Sequence, residues 1–427
     1  MNSLIFLSKE IKSGAYDKRL SEVYVDENLV APQRERYVEA IAKFEELFPG
    51  YEQVEIYSAP GRSEVCGNHT DHQNGMVLAT SINLDAIAIV AKREDGRISL
   101  VSDEMPREEI DIQDISKKEE EEGTTTSLIK GVLAGLKERG YVIGGFAAYI
   151  TSDVLMGAGL SSSAAFESLI GTIVSGLYNE GRVSSIEIAQ IGQYAENEYF
   201  GKPCGLMDQM ACSVGGMVFI DFADKKKPIV EAVKSDFEGA KLSLCIVDTK
   251  GSHVDLTPDY AAVPKEMNAI AKAFQKECLR EVPFEEFMQN IAKLHKEVGG
   301  RAVARALHFY GEEQRVQKAV TALKENNYKE FLAKLQESGD SSFKYLQNIY
   351  SPKQADAQNM TVALGVTQIL LGENGVCRVH GGGFAGTILV FLKNECVAGY
   401  KEEIEKVFGK DSCHVLKVRP YGGIKIM

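Results

Sequence analysis

A glycine- and serine-rich turn, Gly157-Ala158-Gly159-Leu160-Ser161-Ser162-Ser163-Ala164-Ala165, separates two apolar runs. Residues 146–150 before it read as a strand, and residues 164–174 after it read as a buried helix. The chain must therefore hold a strand–turn–helix unit whose turn brings backbone close to whatever lies above it. Small residues permit that approach, and the free N–H groups that open a helix attract anions. Three serine hydroxyls add groups able to bind phosphate oxygens or a metal. A tight turn with serine as the helix N-cap fits the same residues, so other stretches must decide.

The surroundings narrow the choice. With 427 residues, 44% of them hydrophobic, the chain can bury a large core, and its length suggests two or three domains. The formal net charge of -13 argues against nucleic acid and anionic membranes as partners. A local site can still oppose that sign, so an anionic substrate remains open. None of the eight cysteines forms a CxxC pair, and Cys66, Cys204, Cys212 and Cys245 lie in or beside apolar segments. Reduced, mostly buried thiols are expected, not a disulfide framework. Residues 1–9 lack a cleavage-like site, and no apolar run is long enough to span a bilayer. A soluble, cytoplasmic, monomeric protein is the expectation.

The chain alternates between the two periodicities. Residues 1–50 read as helical, with Tyr37, Ile41, Phe44 and Leu47 at helix spacing before Pro49-Gly50. Residues 54–58 alternate like a strand. Next come Ala59-Pro60-Gly61-Arg62 and Gly67-Asn68-His69-Thr70-Asp71-His72-Gln73-Asn74-Gly75, a cluster of donors and acceptors suited to sugar hydroxyls or to a polar surface loop. Strand-like runs follow at 76–91 and 98–101, then a solvated charge run at 117–122 and a helix at 128–136. Ser184 and Glu187 have capping-box spacing at the head of a helix over 186–200. Glu196 near its end is placed either to hold Mg²⁺ or to face solvent. Asp208 stands in apolar company, where an acid needs a partner, a task or a helix to cap. Strands are expected at 214–222 and 242–247, with a soft domain boundary at 223–228. Residues 265–311 and 316–338 read as helical, with Gly339 as a stop. A second glycine turn, 381–386, leads into a strand at 387–391, and a closing strand and tail run from 415 to 427.

Three separated stretches now agree: APGR…GNHTDHQNG, GAGLSSSAA and HGGGFAG. Together they resemble the GHMP kinase superfamily, and the intervening GKPCGLMDQ resembles its galactokinase branch. The resemblance, over roughly residues 55–427, implies an α/β (α+β) fold of two domains, 1–224 and 225–427, with the active site in the cleft between them. It implies ATP and Mg²⁺ as cofactors, a small sugar as partner, and transfer to the sugar's C1 hydroxyl. By position, Asp208 matches the catalytic aspartate that accepts the C1 hydroxyl's proton, and Arg62 the guanidinium that stabilises the anionic oxygen and the moving phosphoryl group. Gly157, Gly159, Leu160, Ser161, Ser162, Ser163 and Ala164 match the loop around the ATP phosphates. Ser163 and Glu196 match the metal positions. Arg62, Asn68, His69, Asp71, Gly205, Asp208 and Tyr260 match sugar-binding positions, Tyr260 being placed by its distance from His253. Gly382 and Gly383 match the third motif.

The pattern is not complete. Galactokinases carry Glu where Asn68 stands, Tyr where His72 stands and usually Asn where Glu64 stands. Ala385 replaces a glycine, and Ser252 stands where an arginine is often found. The family's Glu faces the sugar near C6. A neutral amide at Asn68 would suit a C6 carboxylate, and Asp71-His72-Gln73 resembles the plant galacturonokinase form. Galacturonate is therefore a rival to galactose. A sugar sensor that binds without turnover is the rival class, although such relatives lose part of the serine loop and this chain keeps Ser161 to Ala165.

Overall fold

Two long strands carry the first half of the molecule, Gln53–Cys66 and Met76–Arg93, paired antiparallel. They belong to a computed structural model that describes residues 2–103, 105–155, 159–224, 226–251 and 256–427. Every residue from Val54 to Cys66 is buried, so both faces of the sheet are covered. Successive side chains go to opposite layers. Val54, Ile56, Ile87 and Ile89 pack under the N-terminal helices Leu4–Lys12, Asp17–Tyr24 and Glu27–Leu47. Tyr57, Ala59, Ala88 and Val90 pack under Thr125–Glu138, Ser162–Asn179 and Ser185–Tyr194. The first strand does not stop at Ser58. It runs on through Ala59-Pro60-Gly61-Arg62, and the pairing register shifts between Pro60 and Arg62. Proline has no N–H for the ladder, and a bulge is where a strand tolerates one.

The sheet order from one edge is Asn2–Ser3, Gln53–Cys66, Met76–Arg93, Gly145–Ser152, Arg97–Ser102, Glu108–Asp111. Met217–Asp221 pairs with the start of the second long strand and with Ile229–Val233 beyond it. A second, antiparallel sheet has the order Gly375–Val379, Thr387–Lys393, Leu242–Asp248, Cys413–Leu416. Cys245, Val247, Ile388 and Val390 face Asn359–Leu371 and Val397–Phe408. Leu244, Ile246, Leu389 and Phe391 face Gly300–Lys324 and Tyr328–Ser341.

Three details differ from the sequence reading. The helix expected over 316–338 is two helices, broken at 325–327. Gly339 lies inside the second and ends nothing. A Cβ there would sit 2.8 Å from Arg378 Cβ and 3.0 Å from the Cys377 carbonyl, so the glycine lets the helix lie against the sheet. Thirdly, the sheets do not divide cleanly at residue 224. Ile229–Val233 extends the first sheet, and the C-terminal Ile424–Lys425 returns to pair with Ser58 and Tyr57. Arg419 secures that return through a fully buried ion pair with Asp85, 2.8 Å, whose other oxygen meets Arg36 at 2.7 Å. Among the described residues no helix is long and apolar enough to cross a membrane.

Candidate active site

Arg62 leaves the bulged strand and meets Asp208, which lies in the first turn of the helix Met207–Val214. Nε and NH2 of the guanidinium donate to the two carboxylate oxygens at 2.7 Å each, a bidentate pair. The third nitrogen, NH1, donates to the Gly159 carbonyl, and the Arg62 backbone N–H donates to the Leu160 carbonyl at 3.1 Å. The guanidinium is buried, whereas 33% of the Asp208 side-chain surface stays open. Burial alone would raise the Asp208 carboxyl. The charge and hydrogen bonds of Arg62 outweigh it and hold the group below its ordinary range. Asp208 is thus an aspartate at neutral pH with one side free to accept. Its helix starts at Leu206 with no side-chain cap, so capping is not its task.

The serine turn meets the same pair. Ser161 adopts a left-handed backbone, φ 58°, at the head of Ser162–Asn179, and its hydroxyl donates to Asp208 instead of capping that helix. A non-glycine residue held there costs on the order of 1 kcal/mol, and the result is a helix start whose N–H groups carry no side-chain cap. Of the positions matched to ATP, Gly157 lies outside the described residues. The side chains of Leu160 and Ala164 belong to the core, which leaves only their backbone to face a ligand.

Ser163 and Glu196 also converge. Glu196 Oε1 accepts from Ser163 Oγ at 3.3 Å and from Lys202 Nζ at 2.8 Å, and Oε2 accepts from Gln209 Nε2 at 2.8 Å. A buried carboxylate, a hydroxyl and an ammonium already seated on them describe a place where positive charge is favourable. Hard oxygen donors, few in number, fit Mg²⁺, which keeps waters and takes phosphates as its other ligands. Sequence reasoning missed Glu167 and Gln209 here. Glu167 stands four residues after Ser163 on one helix face, a spacing that could have flagged it. Burial and the neighbouring Glu196 push its carboxyl well above the usual range, and its Oε1, like Gln209 Oε1, finds no partner among the described residues.

The sugar-matched residues part into two groups. Asp71 packs its carboxylate over Gly205, where any Cβ would overlap Asp71 Oδ2. Both line a cavity of about 220 Å³ together with His72, Gln193 and Asn268. His69 Nε2 contacts the Gly382 carbonyl at 2.9 Å, and burial with the nearby His72 lowers its pKa to about 4, so it is neutral at pH 7. Tyr260 donates to the Gly383 carbonyl at 2.8 Å, which locks the third motif against it. His253 and Ser252 lie outside the described residues.

Asn68 does not behave as expected. It is fully buried, and its amide donates to Glu64 Oε1 at 3.0 Å and to the Gly381 carbonyl at 2.7 Å. Its own oxygen accepts from Asn348 at 2.8 Å. Glu64 in turn pairs with Arg378 at 2.8 Å. The two departures at 64 and 68 are therefore one: amide and carboxylate have changed places and bond each other. With the Asn68 amide's donors committed inside the protein, only the Asp71-His72-Gln73 resemblance is left to favour a C6 carboxylate.

Similarity to known proteins fixes the family. Residues 127–216 match the GHMP kinase N-terminal domain, and residues 42–92 match the galactokinase galactose-binding signature. A galactokinase of Glaesserella parasuis is 32% identical over 375 residues, 87% of this chain and 93% of that one. The chain belongs to the galactokinase family. A galactokinase of Streptomyces coelicolor is 28% identical over 389 residues, 90% of this chain and 96% of its own length. Among solved structures, Lactococcus lactis galactokinase complexed with galactose superposes with a TM-score of 0.77 at 25% identity, covering 90% of this chain and 98% of that one. This family member thus keeps the family's mixed α/β architecture.

Proposed function

We propose that the protein transfers the γ-phosphoryl group of ATP to the C1 hydroxyl of galactose, yielding galactose 1-phosphate. The observation that carries this reading is the Arg62–Asp208 pair, bidentate and partly open, beside the uncapped helix start of the serine turn. Phosphoryl transfer needs alignment and charge stabilisation more than covalent help. The N–H groups at the start of Ser162–Asn179 would receive the phosphates. Ser163 and Glu196 would hold Mg²⁺, which supplies neutralisation of phosphate charge. Asp208 would accept the C1 hydroxyl's hydrogen bond and aim its oxygen at phosphorus. Held below the ordinary carboxylate range, it is ionised and able to accept that proton. Arg62 fixes Asp208 and adds positive charge where negative charge develops. Asp71, Gly205 and His69 would seat the remaining hydroxyls, at the junction between residues 1–224 and 225–427, in a cytoplasmic enzyme.

A panel of galactose, galacturonate and other hexoses with ATP and Mg²⁺, read by ³¹P NMR, tests the reading. Galactose 1-phosphate should form, with galacturonate a poor acceptor. Tight galactose binding without any phosphorylated product would instead make the protein a sensor, and preferred turnover of galacturonate would restore the uronate reading.

A further inference from the structure

Glu196 sits where the helix Ser185–Tyr194 loosens into a π turn, Ala195–Tyr199. Such turns interrupt the regular ladder and recur at functional sites. Glu196 is 3% exposed, and Lys202 is the one cation paired with it among the described residues. The lysine is otherwise in solvent: 62% of its side-chain surface is open. Its ammonium donates to the Glu196 carboxylate, while its backbone N–H donates to the Glu196 carbonyl at 3.1 Å and keeps it close. The ammonium contacts Oε1, the same oxygen that Ser163 approaches. Gln209 occupies the other oxygen and links it to Glu167. A metal bound by Ser163 and Glu196 would need the oxygen that Lys202 holds.

We propose that Lys202 is a built-in counter-cation that competes with a divalent metal for the Glu196 carboxylate and yields that oxygen when the metal binds. The inference rests on the assignment of Ser163 and Glu196 as the metal's protein ligands. Two physical facts favour the arrangement. A buried carboxylate with no cation is costly, all the more with a second acid beyond Gln209. A lysine whose side chain is mostly exposed is also cheap to release, because water takes over the ammonium's hydrogen bond. Lysine suits the task better than arginine, since a flexible, strongly hydrated point charge lets go where a fork would not.

Manganese(II), titrated into the nucleotide-free enzyme and followed by electron paramagnetic resonance, reads the competition directly. Lys202→Met should tighten Mn²⁺ binding about threefold to fivefold, the upper range of an ion pair made by a solvent-exposed lysine. Lys202→Arg should leave it unchanged or weaken it. Glu196→Gln should weaken it about tenfold or more in the same assay. If Glu196→Gln weakens binding but Lys202→Met does not tighten it, the metal assignment stands and the role of Lys202 is overturned. If Glu196→Gln changes nothing, both fall together.

Discussion

Two carboxylate–guanidinium pairs lie two residues apart on one strand, and they do opposite things. Asp208 with Arg62 is partly open, with a third of the acid exposed and its pKa held down. Glu64 with Arg378 is sealed, with 4% of the acid exposed, and burial outweighs two guanidiniums to push its pKa up. The residue types are the same. What differs is exposure: both acids accept hydrogen bonds on both oxygens, Glu64 from Arg378 and Asn68 and Asp208 from Arg62 and Ser161, but only Asp208 keeps surface open. On the proposed function the first pair serves the chemistry, while the second joins distant parts of the chain, since Arg378 also donates to the Val65 carbonyl at 2.7 Å.

The comparison can be broken most sharply at Asp208. Asp208→Asn should lower kcat about 10²- to 10⁴-fold, the range of a positioned acid–base group, while the melting temperature stays near that of the parent. A large fall in stability instead would make this pair structural too. The sealed pair should respond in the other currency. Asn68→Glu puts two carboxylates in contact with no solvent, and should cost about 3–5 kcal/mol in urea unfolding. Adding Glu64→Asn to it restores one acid and one amide, and most of that loss should return. If the single variant instead folds normally and gains turnover on galactose, Asn68 faces the sugar after all.

Arg62→Lys tests the clamp itself. An ammonium cannot reproduce the two-pronged contact, so kcat should fall about 10²-fold. The pH profile gives the sign. Asp208 is ionised above its lowered pKa, so the parent's acid limb in kcat/KM falls below the ordinary aspartate range. With a weaker clamp the limb should move up. A limb that stays put would separate Asp208 from Arg62. Gly339→Ala should have the smallest effect, about 1–3 kcal/mol of stability from crowding Arg378 and Cys377, with kcat unchanged.

Much of this architecture is legible in the order of residues, for local reasons. Periodicity finds the N-terminal helix through Tyr37, Ile41 and Phe44, and the capping box at Ser184 and Glu187 forms as spaced. The strand–turn–helix around Ser161 is there because apolar runs flank small residues. What local pattern misreads depends on distant contacts. Pro60-Gly61 looks like a strand end, yet the Met76–Arg93 strand pairs past it. Gly339 looks like a stop, yet it is a gap left for Arg378. Asn68 looks like a ligand for sugar until Glu64, Asn348 and Gly381 are seen to use up its amide. Nothing within a window of sequence announces that residues 64 and 378 touch.

A crystal structure with galactose and a non-hydrolysable ATP analogue would test both halves of the comparison at once. The sugar's C1 oxygen should lie within about 2.6–3.2 Å of the Asp208 carboxylate, with the Asn68 amide still bonded to Glu64. A C1 oxygen pointing away from Asp208, or Asn68 turned onto the sugar's C6 group, would contradict the account.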